Sequence, residues 1–176
     1  MQKIVILTSK DNGLKSFIEN FFKSCNQNIE IFLKDKIDFS SKDFDLVLLE
    51  NYYSEIPEEF FESGNIYRIH PSLLPAFNCS DAIQKAFSSS VKVSGITIHK
   101  MPYDENNMKI VAQYPILIDC NEHFDEFQAK INKLENILTP MVVKSILEDK
   151  VFEWNSIHKG GCSNGCNCSN CGKNCG

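Results

Sequence analysis

Two stretches of the sequence hold side chains whose type and spacing could do chemistry. The first is Ile69-His70-Pro71-Ser72-Leu73-Leu74-Pro75-Ala76-Phe77. It places one imidazole, the side chain that titrates nearest neutral pH, in an apolar, proline-bracketed setting. Each proline fixes φ and removes a backbone donor, which disfavours a central strand. A residue before proline is pushed towards extended backbone, so His70 and Leu74 are both expected to be extended. Two readings are open on these residues. One is a rigid loop leaving a core strand and presenting His70 for catalysis or binding. The other is a packed, proline-kinked connector with a structural histidine. The second stretch is the C-terminal run Cys162, Cys166, Cys168, Cys171 and Cys175, set in Gly, Asn and Ser with almost nothing to bury. Such a segment cannot fold on core burial, whereas thiolates around a soft or borderline metal would supply the ordering free energy. Zn²⁺, a small Cu(I) group and an iron–sulfur cluster all suit a five-cysteine set, with His158 as an extra ligand. Redox or disulfide chemistry and an unliganded tail are the other readings. A protein partner recruited through this tail is a further expectation.

The elements that must position these residues are legible from hydrophobic periodicity. Residues 3–8 form an apolar, β-branched run of the kind buried on both faces of a parallel sheet. A polar turn at 9–13 leads to a helix with Leu14, Phe17, Ile18, Phe21 and Phe22 at helical spacing and Asn12 as its cap. Strands are expected at 29–33, 45–50 and 65–70, with a short helix at 58–62 before the last. A helix at 80–87 is followed by strands at 93–101 and 109–118, which pair as an antiparallel hairpin around a turn at 104–107. A long helix from Phe124 to Leu147 turns Phe127, Ile131, Leu134, Ile137, Leu138, Met141, Val142 and Ile146 inward, and Pro140 is expected to kink it. A short strand or ledge closes the body at 151–154. The chain has 176 residues and a formal net charge of -5. That length fits one α/β domain over 1–157 and a Cys-rich tail over 158–176. The acidic balance argues against nucleic acid or an anionic membrane as a partner. No apolar run reaches the roughly 20 residues of a membrane span, so the expected location is cytoplasmic.

Taken in register, these residues resemble the folate-dependent formyltransferase superfamily, most closely its glycinamide ribonucleotide transformylases. Residues 69–77 resemble the family's signature loop. Gly95-Ile96-Thr97-Ile98-His99 resembles its Gly-Thr/Cys-Ser/Thr-Val-His strand, and Ile110-Val111-Ala112-Gln113 its Val/Ile-Ile-x-Gln strand. The resemblance implies a Rossmann-type, mostly parallel sheet with an antiparallel hairpin extension. It also implies transfer of a formyl group from 10-formyltetrahydrofolate to an amine. The family's catalytic histidine falls on His70, its asparagine on Arg68 and its aspartate on Asn106, with Asp104, two residues before that last position, as its substitute if the turn is re-registered. Asn51 and Tyr52 stand in the family's folate loop, and Leu74 and Gln113 are carried over as substrate-binding positions. Cys79 stands where the family has a glycine. Loss of a single oxyanion donor typically costs about 2.7–4 kcal/mol of transition-state stabilisation. The exchanges at Arg68 and Asn106 therefore leave two expectations: a divergent formyltransferase, or a non-catalytic relative whose cysteine tail binds metal or senses redox state.

Overall fold

The computed structural model describes residues 1–9, 13–35, 44–57, 61, 65–102 and 109–152. Strands β1 (Gln2–Thr8), β2 (Ile29–Lys34), β3 (Leu46–Glu50), β4 (Ile66–His70), β5 (Val93–Lys100) and β6 (Ile110–Leu117) form one sheet in the order β2-β1-β3-β4-β5-β6. The pairs β1–β2, β1–β3 and β3–β4 are parallel. The direction reverses at β4, because β4–β5 and β5–β6 are antiparallel. This is the α/β fold with a hairpin extension expected from the run-then-alternation pattern. β6 closes one side of the described sheet and carries Pro115 opposite Gly95.

The two sheet faces bury different things. One carries Ile4, Ile6, Leu46, Leu48, Tyr67, Ile69, Ile96 and Ile98 against helices α1 (Leu14–Ser24) and α3 (Phe124–Leu147). Helix α2 (Ala82–Ser88) docks on α3 through Phe87, whose ring stacks on Phe127 at 5.7 Å and meets Phe124 edge-on at 5.5 Å. The other face carries Val5, Leu7, Val47, Leu49 and Ile66, joined by Tyr52 from the loop after β3. Completely enclosed β1 and β3 interiors explain why these strands read as continuous apolar runs rather than alternations.

Several expectations change. The N-cap of α1 is Gly13, at φ 87 and without a side-chain cap; Asn12 lies outside the described residues. Ile137 faces solvent at 47% exposure, although its spacing placed it on the apolar stripe. Polar Glu135 and Thr139 are buried on that helix instead. The interface on α3 is thus rotated from the stripe that apolar residues alone suggest. The helix continues through Pro140 to Leu147. His123 caps it, its N–H donating to the Glu126 carboxylate at 2.9 Å. Val151 and Phe152 belong to no strand. Residues 153–154, most of the helix expected at 58–62, the turn at 104–107 and the cysteine tail lie outside the described residues. Among the described residues, no helix is long and apolar enough to cross a membrane.

Candidate functional site

The site is built at the point where the sheet changes direction. Side chains alternate across a strand, so Arg68 and His70 on β4 share one face. Residues directly opposite in an antiparallel pair share a face too. Register then adds His99 (opposite Arg68), Thr97 (opposite His70) and Gln113 (opposite Thr97). A polar row of five side chains therefore crosses three strands beside the apolar patch of Leu49 and Ile66. A sequence reading that treats each strand separately does not assemble this row.

The loop after β4 is held by a small hydrogen-bond network. The Thr97 hydroxyl, fully buried, donates to the Ser72 carbonyl at 2.7 Å. It accepts from the Leu74 N–H at 3.0 Å and from Gln113 Nε2 at 3.0 Å. The Gln113 amide also donates to the Leu74 carbonyl at 2.9 Å. One hydroxyl thus uses its donor and both lone pairs to tie the loop to β5 and β6. Ser72 Oγ donates to the Ala76 carbonyl at 2.6 Å, and the Ala76 N–H donates to Leu73 at 3.0 Å. The Leu74–Pro75 bond is cis, and Phe77 adopts φ 55. This turn aims the Phe77 carbonyl back at the histidine.

His70 is 3% exposed, with Nε2 at 3.0 Å from the Phe77 carbonyl oxygen. A carbonyl only accepts, so Nε2 carries the proton and Nδ1 keeps the lone pair of the neutral ring. The Cys79 N–H donates to the same oxygen at 2.8 Å, and the Cys79 thiol approaches it at 3.6 Å. Burial pulls the His70 pKa below its ordinary value; the Phe77 bond works against this and the Arg68 charge adds to it. His99 is also buried and is pulled down to about 4, chiefly by burial, with Arg68 and His70 contributing and the Lys100 carbonyl opposing. Its Nδ1 lies 3.2 Å from that carbonyl. Both imidazoles are neutral at pH 7. This placement is that of a core histidine.

Arg68 is half-buried, and its Nε is enclosed without a hydrogen-bond partner. Burial lowers its pKa, and Tyr53 opposes that shift. Tyr53, from the loop after β3, has its own pKa raised by burial, with Arg68 lowering it and Cys79, Glu135 and Asp81 adding to the rise. The loops following β3 and β4 therefore meet at the carboxyl ends of parallel strands, where open α/β sheets receive ligands.

The other sequence-predicted positions are distributed unevenly. Tyr52 is buried in the apolar patch, and Leu74 is buried in the loop. Asn51 is exposed at φ 48, and its carbonyl accepts from Ser9 Oγ at 2.8 Å. Gln113 contacts the loop backbone, as described above. Asn106, Asp104 and all five tail cysteines lie outside the described residues. Among the described residues, no group of three or more His, Cys, Asp or Glu side chains is placed to hold a metal. Thr97, Tyr53 and the Phe77 carbonyl were not singled out from sequence. Only Thr97 left a trace there, as a lone hydroxyl between two isoleucines.

The family model described as formyl transferase matches residues 5–143. A phosphoribosylglycinamide formyltransferase of Bacillus subtilis (strain 168) is 38% identical over 105 residues, covering 58% of this chain and 54% of that protein. The chain spans about half the length, or less, of the curated relatives it matches. The crystal structure of phosphoribosylglycinamide formyltransferase from Bacillus halodurans superposes with a TM-score of 0.70 at 23% identity, covering 86% of this chain and 100% of that one. The formyltransferase PseJ from Anoxybacillus kamchatkensis, solved with a formamido sugar nucleotide and tetrahydrofolate, superposes with a TM-score of 0.69 at 20% identity, covering 85% of this chain and 79% of that one.

Proposed function

The chain belongs to the formyl transferase family, and from that premise we propose that it binds 10-formyltetrahydrofolate at the polar row on β4 and β5 and passes the formyl group to an amine. The observation that carries this reading is the fixed tautomer of His70. Its Nε2 proton is committed to Phe77, which leaves Nδ1 as a base. When bound, the folate supplies a formyl group on nitrogen. Neutral His70 then takes the proton that the attacking amine must lose. Arg68 stands at the family's asparagine position, two residues before the histidine, and its N–H groups suit the negative charge that develops on the formyl oxygen. Asn51, Tyr52, Leu74 and Gln113 would shape the folate pocket, and Asn106 or Asp104 would complete the proton path. Related proteins named as phosphoribosylglycinamide formyltransferases make a phosphoribosylated amine of purine synthesis the first acceptor to try.

The test is release of tetrahydrofolate from 10-formyltetrahydrofolate by the full chain, with and without amine acceptors. Wild-type release that falls at least about 100-fold in His70→Ala is the expected result. Folded protein that neither binds nor turns over the folate sinks the proposal. A second reading, binding without turnover, is favoured by Arg68 and Asn106 standing where the family has asparagine and aspartate. Saturable folate binding without release would select it. For the tail, Cys162, Cys166, Cys168, Cys171 and Cys175 are proposed as ligands of a soft metal, Zn²⁺, Cu(I) or iron–sulfur. Elemental analysis of the full chain against residues 1–157 tests this, and equal metal content would remove it.

A further inference from the structure

Arg68 is the sole arginine of the chain; every other cation among the 18 Lys and Arg residues is lysine. A planar, permanently charged fork has therefore been placed once, two residues before His70 and opposite His99. Its surroundings are unusual for a half-buried cation. Among the described residues, its guanidinium meets no carboxylate in an ion pair. Its Nε is enclosed without a partner. The Tyr53 phenol lies close enough to couple to its charge but is itself neutral at pH 7. The imidazoles on either side of it are neutral and bring no counter-charge. Desolvating a cation without pairing it is costly, and no described residue supplies the anion, so a ligand anion would stabilise this charge.

We infer that Arg68 is a carboxylate subsite beside His70, so that the ligand taken here carries a carboxylate next to the reacting centre. The inference deepens the proposed function and rests on it for the use of this face as the ligand site. The carboxylate has two sources. One is the free formate that hydrolysis of the formyl group would leave. The other is the carboxyl group of an α-amino acid acceptor, in which the amine is attached to the adjacent carbon and so falls near the His70 base. A guanidinium matches either as a planar, two-point partner.

A lone arginine makes the experiment direct, because the chain has a single guanidinium Nε–H resonance. Formate, acetate, glycine, methylamine and inorganic phosphate are titrated into full-length protein at low salt. That resonance is followed, and affinities are measured by calorimetry on wild type, Arg68→Gln and Arg68→Lys. Formate or glycine is expected to move the resonance saturably, to bind at least tenfold more weakly to Arg68→Gln, and to recover in part with Arg68→Lys. Formate binding without glycine identifies the free product; glycine binding more tightly than acetate identifies an amino acid acceptor. Equal affinity in Arg68→Gln, tighter binding of phosphate than of formate, or a resonance that no carboxylate moves would overturn the inference. The wild-type resonance decides even if the glutamine variant does not fold. Binding of 10-formyltetrahydrofolate is measured on the same samples. Folate binding with silent carboxylates defeats the subsite and leaves the site reading standing, whereas carboxylate binding without folate binding does the reverse.

Discussion

Replacing Thr97 by valine tests whether one hydroxyl holds the His70 loop. The exchange keeps the shape of the side chain and removes its oxygen. The Ser72 carbonyl then loses a donor at 2.7 Å and the Leu74 N–H loses an acceptor at 3.0 Å, both in a buried setting. Gln113 keeps its second bond, to the Leu74 carbonyl. Each buried group left without a partner costs about 1–3 kcal/mol. The added buried methyl returns about 1 kcal/mol, so the net loss is about 1–5 kcal/mol out of a total stability of about 5–15 kcal/mol. With a urea m-value of about 2 kcal/mol/M, the midpoint falls by about 0.5–2.5 M at unchanged slope. Thr97→Ser supplies the control. It keeps all three bonds, loses one methyl, and costs about 1 kcal/mol, or about 0.5 M. Urea titrations followed by far-UV circular dichroism on the three proteins read the difference. A valine variant within about 0.5 kcal/mol of wild type, or milder than the serine variant, would refute the argument that polar bonds rather than packing fix this loop.

Two further outcomes are expected. Gly95→Ala places a methyl against the Tyr114 carbonyl oxygen and 2.8 Å from Leu73 Cδ2. The backbone of the neighbouring strand cannot step aside, so a loss of about 3 kcal/mol or more is expected in the same titration, and near-wild-type stability would contradict the register of β5 and β6. The second outcome concerns pH. His99 titrates at about 4 in the fold, against 6.5 unfolded. The unfolded chain therefore binds the proton first as pH falls, so the stabilisation is complete above pH 6.5 and is lost progressively down to pH 4. At about 1.36 kcal/mol per pH unit the full loss is about 3 kcal/mol. His70, shifted in the same direction, adds to it. Urea midpoints measured from pH 7 to 4.5 should decline in wild type and decline less steeply in His99→Gln; parallel slopes would show that His99 is not held neutral.

Strand positions were legible in the sequence because an enclosed parallel strand must be apolar on both faces, as Ile4 to Leu7 and Leu46 to Leu49 are. The hairpin was legible from its alternation, and His70 from its motif. The network that makes His70 useful was not. Thr97, Ser72, Leu74 and Gln113 come from three separate segments, and only strand register brings them within hydrogen-bond range. The misplacement of Ile137 has a related cause. Apolar spacing finds a helical stripe, but the face that packs is set by the partners of α3, and these bury Glu135 and Thr139. Arg68 was readable as an exchanged residue; that no described side chain supplies its counter-charge emerges only in three dimensions.

Pro115 has a consequence for how the molecule behaves in a crowd. It sits in β6, the outer strand of the antiparallel half, where Ile110 and Leu117 are exposed. An unpaired strand with apolar residues is a template on which another chain could align and grow a longer sheet. Proline has no N–H to offer such a newcomer, so the outward hydrogen-bond ladder is broken in mid-strand. The same residue that completes the hairpin behind the His70 loop thereby discourages self-association of the protein at high concentration.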